Sequence, residues 1–471
     1  MHLPLHQLRT EIFHWITVVW GTDYTKLFCE IVVPSQLSEN NIPALTKRTT
    51  STYIIYTTSK DEETIRSSKY FPTLSSLIKV RFIIVSYATN SELCHLPYEL
   101  MSLCHQHAQN RGVSENANCV FLVADALLSD GSFKAIEARA LDGYKVLLIA
   151  GIRGVMETTR PWLETQRRED DGIIALDARR AIAALSQTSQ EYLDKLSIES
   201  SNFSHLWPSY LCHSVGNNSI AVRLWHLHPI LINISEDMEL SSTIDSGSPL
   251  PITNNSIDDV YAFTDSDEFF LLELSTRAKL ATLTGDLGPL DVAKVATWAE
   301  RNTQGFNNAF VRISFLLNGG DSTAKTVVAA NNILDEQIDR IHALLRTNSL
   351  DLSAIASLDE IDRDTPVYFY GSGALGKELL AAMGPTDTWK FAGFIDSKQA
   401  GTWAGHRIFS LNQFLDRYSP EEQIIVTSTY IGEISENLAR HGILSAKHAV
   451  SWYNKARLSR LRKQLSFLEN D

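Results

Sequence analysis

Three groups of residues in this 471-residue chain have the types and spacing to do chemistry. The first lies in Cys119–Phe133, CVFLVADALLSDGSF. An apolar run, Val120 to Val123, stops at Asp125; Asp130 and Gly131 follow, and Lys134–Leu141 reads as a helix. Strand, acidic loop, helix is how an α/β sheet presents carboxylates at the carboxyl edge of its strands, where such sheets bind ligands. Carboxylates there can hold Mg²⁺ or Mn²⁺ against a diphosphate. The second group is Asp265-Ser266-Asp267-Glu268, a literal Asp-x-Asp between two apolar runs. It reads either as a metal site or as a solvated hairpin tip. His226 or His228 would complete a metal shell from a late strand, or would simply be hydrogen-bonded there. The candidate metal ligands are therefore Asp125, Asp130, Asp265, Asp267 and His228. Asp125 and Asp130 also fit plain loop and helix-cap positions, where Asp is common.

The third group is Gly371-x-Gly373-x-x-Gly376, which follows the apolar run PVYFY (366–370) and opens a helix. Asp396 lies twenty residues past Gly376, at the end of the next strand. This is the context of a dinucleotide fingerprint. The first glycine permits the tight turn and the second lets a pyrophosphate approach the backbone. The third lets helix pack on strand, and the acid can hold a ribose hydroxyl. NAD(P) or another nucleotide is the ligand this implies; the alternative is a Rossmann-shaped loop whose glycines serve packing alone. Cys94-His95 and Cys104-x2-His107 suggest zinc, but their spacing matches no closed site. Walker-type and Gly-x-Ser-x-Gly loops are absent from the sequence.

These residues need positioning elements. Strands are expected at Phe13–Trp20, Thr52–Thr57, Val80–Val85, Cys119–Val123 and 146–150, alternating with helices at Tyr24–Leu37, 62–68 and 98–110. Alternation of that kind means crossover connections and a mostly parallel sheet. Asp177–Leu193 reads as one further helix. Ala221–Asn233 reads as one strand, with Leu224, His226 and His228 on one face. The fold class is α/β: a mostly parallel twisted sheet followed by a smaller Rossmann-like domain. The expected divisions are 1–239, an extension at 240–345 carrying the acidic hairpin, a linker at 346–364, a Rossmann-like unit at 365–453, and a basic helix at 454–471.

Composition narrows the class of partner. Net charge is −13, which argues against a nucleic-acid coat or an anionic membrane surface. Five cysteines are no disulfide framework and suit a reducing cytoplasm. Neither a signal peptide nor an apolar run of transmembrane length is expected. The leucines of the tail (Leu458, Leu461, Leu465, Leu468) would pack on the chain or on a second copy.

Residues 1–235 resemble the single-sheet (GT-A type) glycosyltransferases, on the acidic strand end at Asp125 and the first strand's exit at Trp20-Gly21-Thr22-Asp23. The resemblance implies that Trp20, Gly21 and Asp23 meet the nucleotide while Asp125 and Asp130 meet the metal–diphosphate. The motif Ala124-Asp125-Ala126 departs from the family's Asp-x-Asp. The C-terminal GSGALGKELL, GFID and IIVTSTYIGEISENLARHGI resemble small nucleotide-binding domains on sugar acetyltransferases and sugar C-methyltransferases. Together they imply a transferase moving sugar from a nucleotide-sugar donor to a glycan or protein acceptor, as in polysaccharide biosynthesis. The alternatives are a non-catalytic sugar-nucleotide-binding scaffold and an NAD(P)-dependent sugar-modifying enzyme.

Overall fold

The computed structural model describes residues 11–46, 49–85, 97–233, 243–244, 257–303, 305–345 and 351–456, except 356, 387, 398, 429–430, 444, 451 and 454–455. Cys94-His95, most of the polar stretch at 240–259 and the tail leucines lie outside the described residues. The chain forms two compact units. The first runs to Val295 and includes Thr303–Asp339; the second takes Ala296–Asn302 and continues from Arg340.

The strands of the first unit are β1 (Glu11–Val18), β2 (Thr49–Thr57), β3 (Lys79–Ile84), β4 (Ala117–Leu122), β5 (Ala126–Leu128), β6 (Val146–Ile149), β7 (Ile152–Val155), β8 (Phe203–Ser204), β9 (Tyr210–Val215), β10 (Ser219–Leu224), β11 (His228–Ile232), β12 (Val260–Phe263), β13 (Leu271–Ser275), β14 (Leu287–Gly288) and β15 (Phe315–Leu317). Seven of them make one sheet in the order β12-β6-β11-β4-β1-β2-β3. All its pairings are parallel except those of β11, which runs antiparallel to both neighbours. The central strands read as continuous apolar runs because both faces are covered. Every residue of β4 is buried. Strand alternation sends Trp15, Tyr53 and Val120 into one core and Ile16, Ile54 and Phe121 into the other. Trp15 stacks on Phe133 of the following helix, Ser132–Leu141, with ring centroids 4.4 Å apart.

Among the described residues this unit has three smaller sheets, β5-β13-β7, β15-β10-β9 and the two-stranded β14-β8. They account for most differences from the sequence expectations. The acidic segment after β4 is not all loop; residues 126–128 form β5 and pair antiparallel with β13. The single strand expected at Ala221–Asn233 is two strands in different sheets, broken at 225–227. Trp225 there is fully buried, and Asn307 Nδ2 donates to its carbonyl at 2.8 Å. Leu224, His226 and His228 therefore share no strand face. The helix expected over Asp177–Leu193 ends at Thr188 and restarts at Gln190. Ser189 at the break accepts the Val155 N–H with its hydroxyl at 2.9 Å. The helix after β1 widens into a π turn at Phe28–Val32 ahead of Pro34, which has no N–H to continue the ladder.

The second unit has β16 (Asp351–Ala354), β17 (Val367–Tyr370), β18 (Phe391–Ile395), β19 (Gly401–Trp403), β20 (His406–Phe409), β21 (Gln423–Val426) and β22 (Ser445–His448). Their order is β16-β22-β21-β17-β18-β20-β19, parallel throughout except the β19–β20 hairpin. Strand β16 comes from the stretch read as linker. The molecule is thus an α/β protein with two large, mostly parallel sheets. No described helix is long and apolar enough to cross a membrane.

The glycine loop of the second unit divides its work. Gly371 has φ +125°, and a Cβ there would stand 2.5 Å from the Thr427 carbonyl oxygen. At Gly376 a Cβ would meet the Gly371 carbonyl oxygen at 2.3 Å. Gly373, at the head of helix Ala374–Met383, faces open space. Packing thus demands the first and third glycines, while the second is free of neighbours. Asp396 accepts a hydrogen bond from the Ser372 hydroxyl at 2.5 Å, and Gln399 Nε2 donates to that same hydroxyl at 2.6 Å. Gly376→Ala should destabilise the protein by about 1–3 kcal/mol, since backbone cannot move aside cheaply. Gly373→Ala should cost less than about 1 kcal/mol. Thermal melts of both variants check this; equal losses would contradict the division of roles.

Candidate functional site

The carboxyl edge of the large sheet in the first unit gathers a charged group from four elements. Asp125 stands in the turn that ends β4, with 7% of its surface exposed. Its carbonyl accepts the Leu274 N–H at 2.8 Å, which fixes β13 against the turn. In the three-stranded ladder, Glu273 of β13 is registered between Ala126 of β5 and Arg153 of β7. Cross-strand partners share a face, and the Arg153 guanidinium Nε lies 2.9 Å from Glu273. The chain leaves β13 through Thr276, whose hydroxyl caps helix Arg277–Leu283 by accepting the Lys279 N–H at 3.2 Å. One turn into that helix, Lys279 Nζ stands 3.6 Å from Asp125 and 3.7 Å from Glu273. The same ammonium lies 5.8 Å from the ring centre of Tyr24. Tyr24 is 45% exposed and sits in the first turn after β1.

Burial and the neighbouring Glu273 carboxylate push the Asp125 carboxyl up to about 6 from 3.8, against the pull of Lys279. Burial draws Lys279 down, but Asp125 and Glu273 more than offset it, and its affinity for the proton is raised. Burial also pushes the Tyr192 phenol, beside Arg153, up to about 12. A carboxyl group titrating near neutrality, with two cations and an exposed aromatic face beside it, can exchange a proton and receive an anion.

The exit of β1 is rigid. Gly21, with φ +84°, donates its N–H to Asp61 Oδ2 at 3.0 Å. Asp61 is buried and also accepts from the Thr25 hydroxyl (3.1 Å) and the Thr58 hydroxyl (2.7 Å). It ties the ends of β1 and β2 together and presents Tyr24 outward. Trp20 is half-buried against the core that contains Ile16 and Tyr56, and Asp23 is exposed.

The other expected residues lie in separate surroundings. Asp130 accepts from Asn40 N–H (3.0 Å) and Asn40 Nδ2 (2.7 Å), next to Asn41, whose side-chain oxygen takes the Gly131 and Phe133 N–H groups. It serves the start of helix Ser132–Leu141. Asp267 is clasped by Arg179 at 2.8 and 2.6 Å and by Asn318 at 3.0 Å. Asp265 Oδ1 accepts the Asp267 N–H. Glu268 holds Arg139 at 2.6 Å and the Tyr261 hydroxyl at 2.7 Å. His228 Nε2 bonds the Phe121 carbonyl at 3.1 Å, so that nitrogen carries the proton. Among the described residues no three His, Cys, Asp or Glu side chains converge as a metal site. The donor set named from the sequence does not fit a cation. Cys104 is fully buried, and His107 Nδ1 bonds the Tyr56 hydroxyl at 2.7 Å.

Tyr24, Lys279, Glu273, Arg153 and Asp61 were not found from the sequence as site residues. The available signal was Ser275-Thr276, a strand exit with an N-cap, followed by a lysine one turn into a helix.

No family model matches the chain, and no curated protein matches it. Among solved structures, S. aureus TarS matches with 13% identity over 30% of this chain and 22% of that one, TM-score 0.20. Mouse xyloside xylosyltransferase 1, in its apo form, matches with 11% identity over 34% of this chain and 63% of its own, TM-score 0.22. A putative glucose-1-phosphate thymidylyltransferase from Bacillus anthracis, in complex with a sucrose, matches with 13% identity over 32% and 57%, TM-score 0.18. The matched stretch thus spans less than two thirds of each of those proteins, and at these TM-scores the likeness says nothing of what this chain acts on.

The raised Asp125 carboxyl links site to stability. Its folded form favours the proton, so the stability tied to protonated Asp125 is fully present below its ordinary value of 3.8 and is lost as pH rises through about 6. Asp125→Asn mimics the protonated side chain at every pH. Relative to wild type, the variant should gain on the order of 2–3 kcal/mol between pH 4 and pH 7.5. Paired thermal melts at those two pH values check this; a gap independent of pH would contradict it.

Proposed function

We propose that the first unit transfers a sugar from a nucleotide-sugar donor to a hydroxyl acceptor. The observation that carries the reading is the convergence of Tyr24, Asp125, Lys279, Glu273 and Arg153 at the carboxyl edge of one mostly parallel sheet. A single large sheet is also what the GT-A resemblance of the N-terminal residues implies. Three demands of glycosyl transfer have a matching group there. The donor's base needs a flat surface, and the exposed ring of Tyr24 offers one at the exit of β1, directly after the stretch Trp20–Asp23 expected to meet the nucleotide. The departing diphosphate needs positive charge, and Lys279 and Arg153 supply it. The acceptor hydroxyl needs a base whose proton affinity suits neutral pH, and Asp125 is held near 6.

The step balances as a displacement. The bond from the sugar's anomeric carbon to the β-phosphate oxygen breaks, and its electron pair leaves with the diphosphate. The acceptor oxygen bonds the anomeric carbon and gives its proton to the Asp125 carboxylate. In this reading Asp130 supports the turn rather than the donor. Gly21 and Asp61 hold Tyr24 in place.

In the second unit we assign Gly373 and the head of helix Ala374–Met383 as the place a nucleotide would approach. Asp396 would have to release Ser372 to hold a ribose.

Thermal shift with UDP- and GDP-sugars tests the reading. At least one donor should raise the melting temperature, and Tyr24→Ala should weaken that donor's binding by about tenfold, the loss of one stacked base. Release of nucleoside diphosphate should fall by about 10²–10⁴-fold in Asp125→Asn, with donor binding retained. Donor binding without any release or transfer in wild type would favour a non-catalytic binding protein instead.

A further inference from the structure

We infer that this site neutralises the leaving diphosphate with the Lys279 ammonium, backed by Arg153, and not with a divalent cation; the inference rests on the transferase reading above. The donor set is the first ground. The expected ligands Asp130, Asp265, Asp267 and His228 are each committed elsewhere, to Asn40, the Asp267 backbone, Arg179 and the Phe121 carbonyl. Only Asp125 stands at the site. The second carboxylate nearby, Glu273, already pairs with Arg153 at 2.9 Å and faces Lys279 at 3.7 Å. A dication entering here would meet two positive side chains at close range, where like charges repel strongly.

The setting of Lys279 is the second ground. Its ammonium lies beyond hydrogen-bonding distance of both carboxylates, at 3.6 and 3.7 Å. It is held by charge rather than clamped by short hydrogen bonds, and its side chain is 34% exposed. Three N–H donors are then available to phosphate oxygens without breaking a tight pair. The ring centre of Tyr24 lies 5.8 Å from it, so a nucleotide stacked there would bring its diphosphate toward the ammonium. When the anion arrives, Lys279 can shift its charge from Asp125 to phosphate. That leaves Asp125 the stronger base just as the acceptor must lose its proton. The lysine then does at the diphosphate what a metal would do elsewhere, and it also couples donor arrival to the readiness of the base.

The test uses the full chain and the donor that shifts its melting temperature. Binding is measured in EDTA, then with added Mn²⁺, for wild type, Lys279→Met and Lys279→Arg. Lys279→Met keeps the aliphatic stem and guards against simple misfolding; its ligand-free melting temperature reports that directly. The expected result is that EDTA leaves wild-type donor affinity within twofold. Lys279→Met should lose at least tenfold in either buffer, and Lys279→Arg should recover most of it. Inorganic pyrophosphate should protect wild type but not Lys279→Met. In wild type, pyrophosphate should also raise the pH midpoint of the Asp125-linked stability, a response that a purely structural lysine would not give. Donor binding abolished by EDTA and restored by Mn²⁺, with Lys279→Met unaffected, overturns the inference and spares the transferase reading. No shift with any donor, with or without Mn²⁺, overturns both.

Discussion

The first unit's candidate site depends on one backbone hydrogen bond and the ladder it begins. Leu274 donates to the Asp125 carbonyl, and from there Leu272 and Leu271 pair with Leu127 and Leu128. The partners are almost 150 residues apart in the chain. The ladder is held from below by Leu127, Leu272 and Leu274, which enter a core with Ile152, Val155 and Leu185. Strand periodicity then has no freedom left: with Leu272 and Leu274 inward, Glu273 must point to the other face, beside Arg153. A slip of one residue would put Glu273 in the apolar core and a leucine at the site. The position of Lys279 follows from the same constraint, because its helix starts directly where β13 stops.

Asp125 is costly where it stands. A carboxylate taken from water prefers to be neutral, and Glu273 adds repulsion. Lys279 and Arg153 offset part of that cost but stop short of a tight pair with Asp125. A fully clamped carboxylate would have its proton affinity driven down, as Arg168 and Arg179 do for Asp171 and Asp267. The contrast between Asp125 and Asp267 separates an acid kept reactive from an acid used as a fastener. Asp267 and Glu268 bind the 265–268 turn to arginines on helices 178–188 and 132–141.

That contrast also marks how far the sequence could be read. The α/β class, the alternation of strands and helices, and the acidic end of β4 were legible because period-2 and period-3.6 patterns are local. The glycine loop was legible for the same reason, since its strand, turn and helix are contiguous. The ladder at Leu271–Leu274 was not. Nothing local says that a five-residue strand near 273 will pair with 126–128 on one side and 152–155 on the other. The split at Trp225 was hidden too, because an apolar run continuing through a change of sheet looks like a single strand. The surroundings of the Asp-x-Asp at 265–267 were not legible either, because the arginine that clasps Asp267 lies about 90 residues earlier and the one that holds the adjoining Glu268 about 130.

The tethered exit of β1 shows why the same reading succeeded in place but not in detail. Trp20-Gly21-Thr22-Asp23 was expected to meet a ligand, and this stretch does stand at the carboxyl edge. Yet Trp20 packs half-buried against the core, and Gly21 donates its N–H to Asp61. What reaches the surface beside Lys279 is the next residue, Tyr24. The left-handed backbone at Gly21 sets this outcome: it reverses the chain at once after the strand, so the helix begins at Thr22 and its first outward ring is at 24. A side chain at 21 would strain that turn and rotate Tyr24 away, although no contact in the surroundings would forbid its volume. The position of the aromatic surface is therefore a consequence of backbone geometry three residues upstream, joined through Asp61 to the start of the next helix.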